Sequence, residues 1–131
     1  KVLPINSVCG IGSTGRICTD LAQQFEAAGD KVKIAYGRKG LCRSNSKSMR
    51  CASARIGTAK CTQSRPDCLI RMDSAPNKQQ KVLAVAEEYK PDLLWLHNIH
   101  GYYINVEMLF AWIKKHPEMQ VKWTLHDCWP L

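Results

Sequence analysis

Val2-Leu3-Pro4-Ile5, then Gly10-Ile11-Gly12-Ser13-Thr14-Gly15, then the amphipathic run Arg16 to Ala28: the order of these stretches decides the fold. An apolar run, a glycine-rich turn and a helical stripe describe a strand that turns into a helix. Glycines at such a turn permit positive φ and let another molecule approach the backbone. The first N–H groups of the helix and the positive end of its dipole then favour an anion. G-x-G-x-x-G in this setting is the dinucleotide fingerprint. That fingerprint also wants an acidic residue ~20 positions on, at the end of the second strand. The second strand reads Lys31 to Tyr36, and its end is Gly37-Arg38-Lys39, without a carboxylate. A basic pair suits a ribose 2′-phosphate, so an NADP-binding oxidoreductase stays open. Phosphate or sugar-phosphate contact, and a turn that binds nothing, stay open beside it.

Working outward, helix one is expected over Thr14 to Ala28, with Ile17, Leu21, Phe25 and Ala28 at helical spacing and Gly29 as its stop. Pro4 is awkward in a central strand, because proline cannot donate to a ladder. After Tyr36 the pattern breaks. Residues 37–53 and 58–78 read as irregular, with a short strand Ala54-Arg55-Ile56 between them. Order returns at Gln79 with the stripe Val82, Val85, Ala86 and Tyr89, ended by Pro91. Asp92 to His97 contains a continuous apolar run, as expected of a strand buried on both faces. A helix over Asn105 to Lys115 follows, with Val106, Leu109, Phe110 and Ile113 on one face and Asn105 as its start. Val121 to Leu125 is a further strand. Strands alternating with helices predict an α/β domain: a doubly wound parallel sheet in a three-layer α/β/α arrangement. The last strand lacks a closing helix, which leads us to expect a fragment of something longer.

The 131 residues are one domain's worth, with ordinary apolar content. No apolar run approaches the ~20 residues of a membrane span, and no secretion signal is visible. The net charge of +8 is concentrated in residues 38–78, which carry ten basic residues against Asp67 and Asp73. Such a segment suits nucleic acid, anionic lipid or a phosphorylated substrate, or is a solvated insertion of low order. It lacks the interleaved aromatics that single-stranded nucleic acid would stack on, so nucleic acid is not the expected partner. Four of the seven cysteines, Cys42, Cys51, Cys61 and Cys68, lie there without the paired C-x-x-C spacing of a zinc ribbon. Cys9, Cys18 and Cys128 read as packing residues, and reduced thiols in a cytoplasm are the default.

Ligands of open parallel sheets bind outside the carboxyl ends of the strands. Three motifs fall there. They are the glycine turn, His97-Asn98-Ile99-His100-Gly101-Tyr102-Tyr103, and His126-Asp127-Cys128-Trp129-Pro130. Histidines at strand ends suit hydrogen bonding to hydroxyls and phosphates. A metal held by His97, His100 and His126 is a lesser alternative, and loop or capping roles are the plain one. Ser13 does not sit in a G-x-S-x-G elbow, which argues against a hydrolase. Trp95, Trp112 and Trp123 read as core.

Several of these stretches together resemble the N-terminal half of bacterial family 4 glycosyltransferases of capsular and exopolysaccharide synthesis. They are Val8 to Arg16, Ala35 to Arg38, Arg55-Ile56-Gly57, Lys90-Pro91-Asp92, Leu96 to Tyr103 and Trp123 to Pro130. Residues 39–53 and 58–78 match poorly. The resemblance implies a GT-B fold, in which two Rossmann-like domains face each other across a cleft and transfer retains anomeric configuration without a metal. It implies that Gly12, Ser13, Thr14, Gly15 and Arg16 face the donor diphosphate and transferred sugar. His126, with Asp127 beside it, would act at the reacting centre, and His97, Asn98 and His100 would shape the acceptor side. The implied partners are a nucleotide-sugar donor and a saccharide or lipid-linked acceptor, with no separate cofactor. The donor domain with its paired glutamates is not in these residues, so the chain by itself is expected to be inactive. The implied location is cytoplasmic, with peripheral contact at the inner membrane face through the basic segment.

Overall fold

Val2–Asn6 form the first strand, β1, and every residue of it is buried. The computed structural model describes residues 1–37, 69–71, 76–100 and 103–128. Among them β1 is followed by α1 (Gly12–Ala27), β2 (Ile34–Tyr36), β3 (Leu69–Arg71), α2 (Pro76–Tyr89), β4 (Leu93–Leu96), α3 (Val106–Lys114) and β5 (Gln120–Trp123). The strands make one sheet in the order β3-β2-β1-β4-β5, and every neighbouring pair is parallel. The expected parallel α/β sheet is therefore present.

Strand pleating sends alternate residues to opposite faces. Val2 of β1 joins Ile34, Tyr36 and the α1 residues Cys18 and Ala22 in one apolar cluster. Leu3 and Ile5 join Leu94, Leu96, the α2 residues Ala86 and Tyr89, and the α3 residues Leu109 and Trp112 in another. Leu3, Ile5, Leu94 and Leu96 are almost wholly buried. Each such side chain contributes about 1.5–3 kcal/mol.

Pro4 does sit in the central strand, and the hydrogen bonds show how. Val2 donates to Lys31 and accepts from Lys33, while Leu93 and His97 donate to Lys1 and Ile5. Even-numbered residues of β1 thus face β2, and odd-numbered ones face β4. The donor that Pro4 lacks would have pointed at β2. The β2 pairing is interrupted there: Val2 and Val32 form an isolated bridge, and regular pairing resumes at Ile5 opposite Ala35. The expected strand Lys31 to Tyr36 is shortened to Ile34–Tyr36 for this reason.

Other expectations need correction. β3 lies inside the stretch 58–78 that reads as irregular, and α2 begins at Pro76 rather than Gln79. Proline suits a first helical position. The buried face of α1 is Gly15, Cys18, Thr19 and Ala22, while Ile17 is 42% exposed. Small residues let the helix approach the sheet closely, so the bulkier stripe is turned toward the flank. Trp123 is exposed too, because β5 is an edge strand with all four residues open to solvent. Cys9 and Cys18 are packed as expected, but Cys128 is exposed. The expected strand 54–56, and the expectation of low order across 38–78, lie outside the described residues except at β3 and the start of α2. No helix among the described residues is long and apolar enough to cross a membrane.

Candidate functional site

The carboxyl ends of β1, β4 and β5 adjoin on one rim, and each carries one of the three motifs. The chain leaves β1 through Asn6, which is completely buried. Its side chain accepts from the Ser7 N–H and donates to the Val8 carbonyl, both at 2.9 Å. Gly10 and Gly12 follow with φ of 69° and 65°, a region costly for residues with a Cβ. The Gly10 N–H donates to the Gly15 carbonyl at 3.1 Å, which folds the turn back over the start of α1. A Cβ on Gly15 would lie 3.1 Å from Val8 Cγ2 and 3.2 Å from the Gly10 nitrogen. Glycine at position 15 therefore answers to close approach, and glycine at 10 and 12 to backbone conformation. Ile11 is the N-cap of α1 and has no polar side chain to offer, unlike most N-caps. Gly12, Ser13 and Arg16 are exposed, Thr14 is half-buried and Gly15 is buried.

Beneath the turn, burial and the neighbouring Cys9 raise the pKa of the Cys18 thiol far above its ordinary value, so it stays protonated. It packs against Val2, Ile34 and Tyr36 of the sheet, as an inert buried thiol does.

The loops after β4 and β5 are tied to each other by side chains. His97 Nδ1 lies 3.0 Å from His126 Nε2, and His100 Nε2 lies 2.9 Å from Asp127 Oδ2. Trp123 Nε1 donates to the His97 carbonyl at 3.1 Å, and Trp95 Nε1 donates to Thr124 Oγ1 at 2.8 Å. His97, Asn98, His100, His126 and Asp127 line one small open depression with Ile99, Trp123 and Leu125. All five sequence-predicted residues of these loops are thus brought together.

Their exposures differ. His97 is buried, with the Trp95 ring parallel to its own, and its side chain meets His126 rather than solvent. Burial, with a smaller contribution from the charge of His126, lowers its pKa from 6.5 to about 4. It is neutral at physiological pH. His97 Nε2 is buried and has no hydrogen-bond partner among the described residues. Asn98 and His100 are half-buried, and Asp127 is exposed. The described residues hold no group of three or more side chains suited to a metal ion.

Three contributors have no role assigned from the sequence, although Tyr103 stands in one of the quoted motifs. Asn6 shapes the first loop, and its only signal is an amide before a glycine-rich turn. Tyr103 donates to the Asn98 carbonyl and packs its ring where a Cβ on Gly37 would stand. Gln79, also fully buried, accepts from the Asn105 N–H at 3.1 Å and donates to its carbonyl. That ties α2 to the start of α3, where Asn105 caps Met108 as expected.

No protein-family model, curated protein or solved structure matches this chain.

Proposed function

We propose that this chain is the acceptor-side, Rossmann-like half of a retaining GT-B glycosyltransferase of polysaccharide synthesis. The chemistry comes from the resemblance of the strand-end motifs, and the observation that supports the reading is the strand order. It runs outward from β1 through β2 to β3, then reverses to β4 and β5 on the other side. Ligands of doubly wound sheets sit at such a reversal, outside the carboxyl ends. The glycine turn leaves β1 and the first histidine loop leaves β4, so both flank it. Apolar clusters on the two faces of the sheet, with α1 in one and α2 and α3 in the other, support a three-layer arrangement.

In this reading a second Rossmann-like unit holds most of the nucleotide sugar. The turn Gly12 to Arg16 meets the diphosphate and the transferred sugar, using backbone N–H groups that Ile11 leaves uncapped. His126 hydrogen-bonds the sugar near the reacting carbon, and Asp127 holds His100 on the opposite loop. Asn98 and His100 meet the acceptor, and His97 supports them from below. The sugar's bond to the leaving phosphate oxygen breaks as the acceptor hydroxyl oxygen bonds the anomeric carbon. The hydroxyl proton passes to the leaving group. Donors already in place stabilise the charge that develops.

The test is sugar transfer by the protein that joins this chain to a donor-binding half, offered a panel of nucleotide sugars and saccharide or lipid-linked acceptors. Transfer with retained configuration is expected. His126→Ala should lower kcat on the order of 10- to 1000-fold and change KM far less. Wild-type rates from that variant would remove His126 from the chemistry. Tight NADPH binding without any transfer would replace the reading with an oxidoreductase.

A further inference from the structure

We propose that His97 is a positioning residue that fixes the tautomer of His126, so that His126 presents an Nδ1–H donor to an oxygen atom of the ligand. That the oxygen belongs to a sugar rests on the glycosyl-transfer reading; the tautomer does not.

The geometry identifies the contact as a hydrogen bond rather than ring stacking. The two ring centroids are 5.3 Å apart with planes 23° from parallel, and the bonded nitrogens are 3.0 Å apart. One ring radius at each end takes up the difference. The rings therefore lie end to end and nearly coplanar, the arrangement an sp² nitrogen prefers. Since Nε2 of His126 is committed to His97, Nδ1 is the nitrogen left for a ligand. His126 lines the depression in which a ligand would sit.

The proton's position follows from the buried end of the pair. His97 Nε2 has no partner among the described residues. A buried N–H without an acceptor is rarer in proteins than an under-satisfied acceptor. Nε2 is therefore bare, and the proton of the neutral His97 ring sits on Nδ1 and is donated to His126 Nε2. His126 Nε2 accepts, so its own proton resides on Nδ1. The hydrogen bond made by one ring nitrogen decides the state of the other.

The surroundings hold this arrangement in place. The Trp95 ring lies parallel to His97 at a centroid distance of 5.8 Å. Trp123 anchors the His97 carbonyl, and Thr124 and Asp127, on either side of His126, are held by Trp95 and His100. A donor whose supports are already ordered needs no reorganisation when charge develops on its partner.

The test is a two-bond ¹H–¹⁵N correlation spectrum of the labelled protein near pH 7.5. His126 is expected with Nδ1 protonated and Nε2 bare, the reverse of the form favoured by free imidazole side chains. His97→Phe keeps an aromatic ring against Trp95 but has no donor, and His126 should revert to Nε2–H. His97→Asn supplies an amide N–H close to the former Nδ1 and should restore the Nδ1–H form. In the transfer assay, His97→Phe should lower kcat roughly ten-fold with KM little changed, and His97→Asn should recover most of the loss. A wild-type spectrum showing Nε2–H on His126 overturns the proposal. So does a folded His97→Phe that keeps Nδ1–H, or a His97→Asn that behaves like it. Should His97→Phe fail to fold, the wild-type and His97→Asn spectra still decide. Because the spectra need no substrate, the tautomer can fail while the glycosyl-transfer reading stands, and the reverse.

Discussion

The turn after β1 is made of backbone, whereas the rim over β4 and β5 is made of side chains. The first depends on two positive φ angles and on the missing Cβ of Gly15. The second depends on His97–His126, His100–Asp127 and two indole hydrogen bonds. The turn is held by backbone conformation, but the rim contains a buried histidine. The two regions should therefore respond to different perturbations.

Acidification should separate them most. The folded-state pKa of His97 is about 4, against an ordinary 6.5. Between those values the unfolded state binds the extra proton and the folded state does not. The contribution of His97 to stability is then fully present above pH 6.5 and is lost as pH falls toward 4. The shift corresponds to about 3 kcal/mol across that window. Denaturant unfolding at a series of pH values should show that slope in the wild type and not in His97→Phe. A glycine-turn variant should keep it. Equal slopes in wild type and His97→Phe would mean that His97 is not held neutral.

Glycine substitutions probe the other side of the comparison. Gly15→Ala should cost about 1–2 kcal/mol, although alanine is the better helix former, because backbone at Gly10 has to move. Gly12→Ala meets nothing within 4 Å but keeps φ at +65°, and should cost about 1 kcal/mol through conformation alone. Melting curves at neutral pH would measure both. Unchanged stability in Gly15→Ala would show that the turn is looser than its hydrogen bonds imply.

An effect no larger is expected at α3, which begins with the side-chain cap that α1 lacks. Asn105→Ala should cost about 1 kcal/mol, since the Met108 N–H loses its acceptor. Gln79 bonds only the backbone of residue 105, so α2 and α3 should stay docked. Loss of the near-ultraviolet signal of Trp112 in this variant would contradict that separation.

The same contrast explains what was legible in the sequence. The turn could be read because its determinants are adjacent: apolar run, glycines, helix. The Asn105 cap and the buried strand at Leu93 to Leu96 could be read for the same reason. β3 could not, because Leu69 and Ile70 are a short apolar pair whose strand character comes only from pairing with β2. The buried face of α1 is not its bulkiest stripe, because closeness to the sheet selects Gly15, Cys18 and Ala22 over larger residues. The gathering of histidines on one rim follows from topology. Their pairing does not, because His97 and His126 are separated by α3 and β5 and meet only through the register of two loops.

Pro4 divides the sheet unequally. From Val2 to Ile5, β1 pairs continuously with β4, and β4 pairs continuously with β5. Toward β2 the ladder skips at the proline and leaves an isolated bridge. Proteins open in cooperative pieces along their weakest seams. The ladder is thinnest beside Pro4, between β1 and β2, so opening there is expected to separate β2 and β3 first, which hydrogen exchange would report as faster exchange in β2 than in β4. The glycine turn and both histidine loops hang from β1, β4 and β5 and ride together on the part that stays closed.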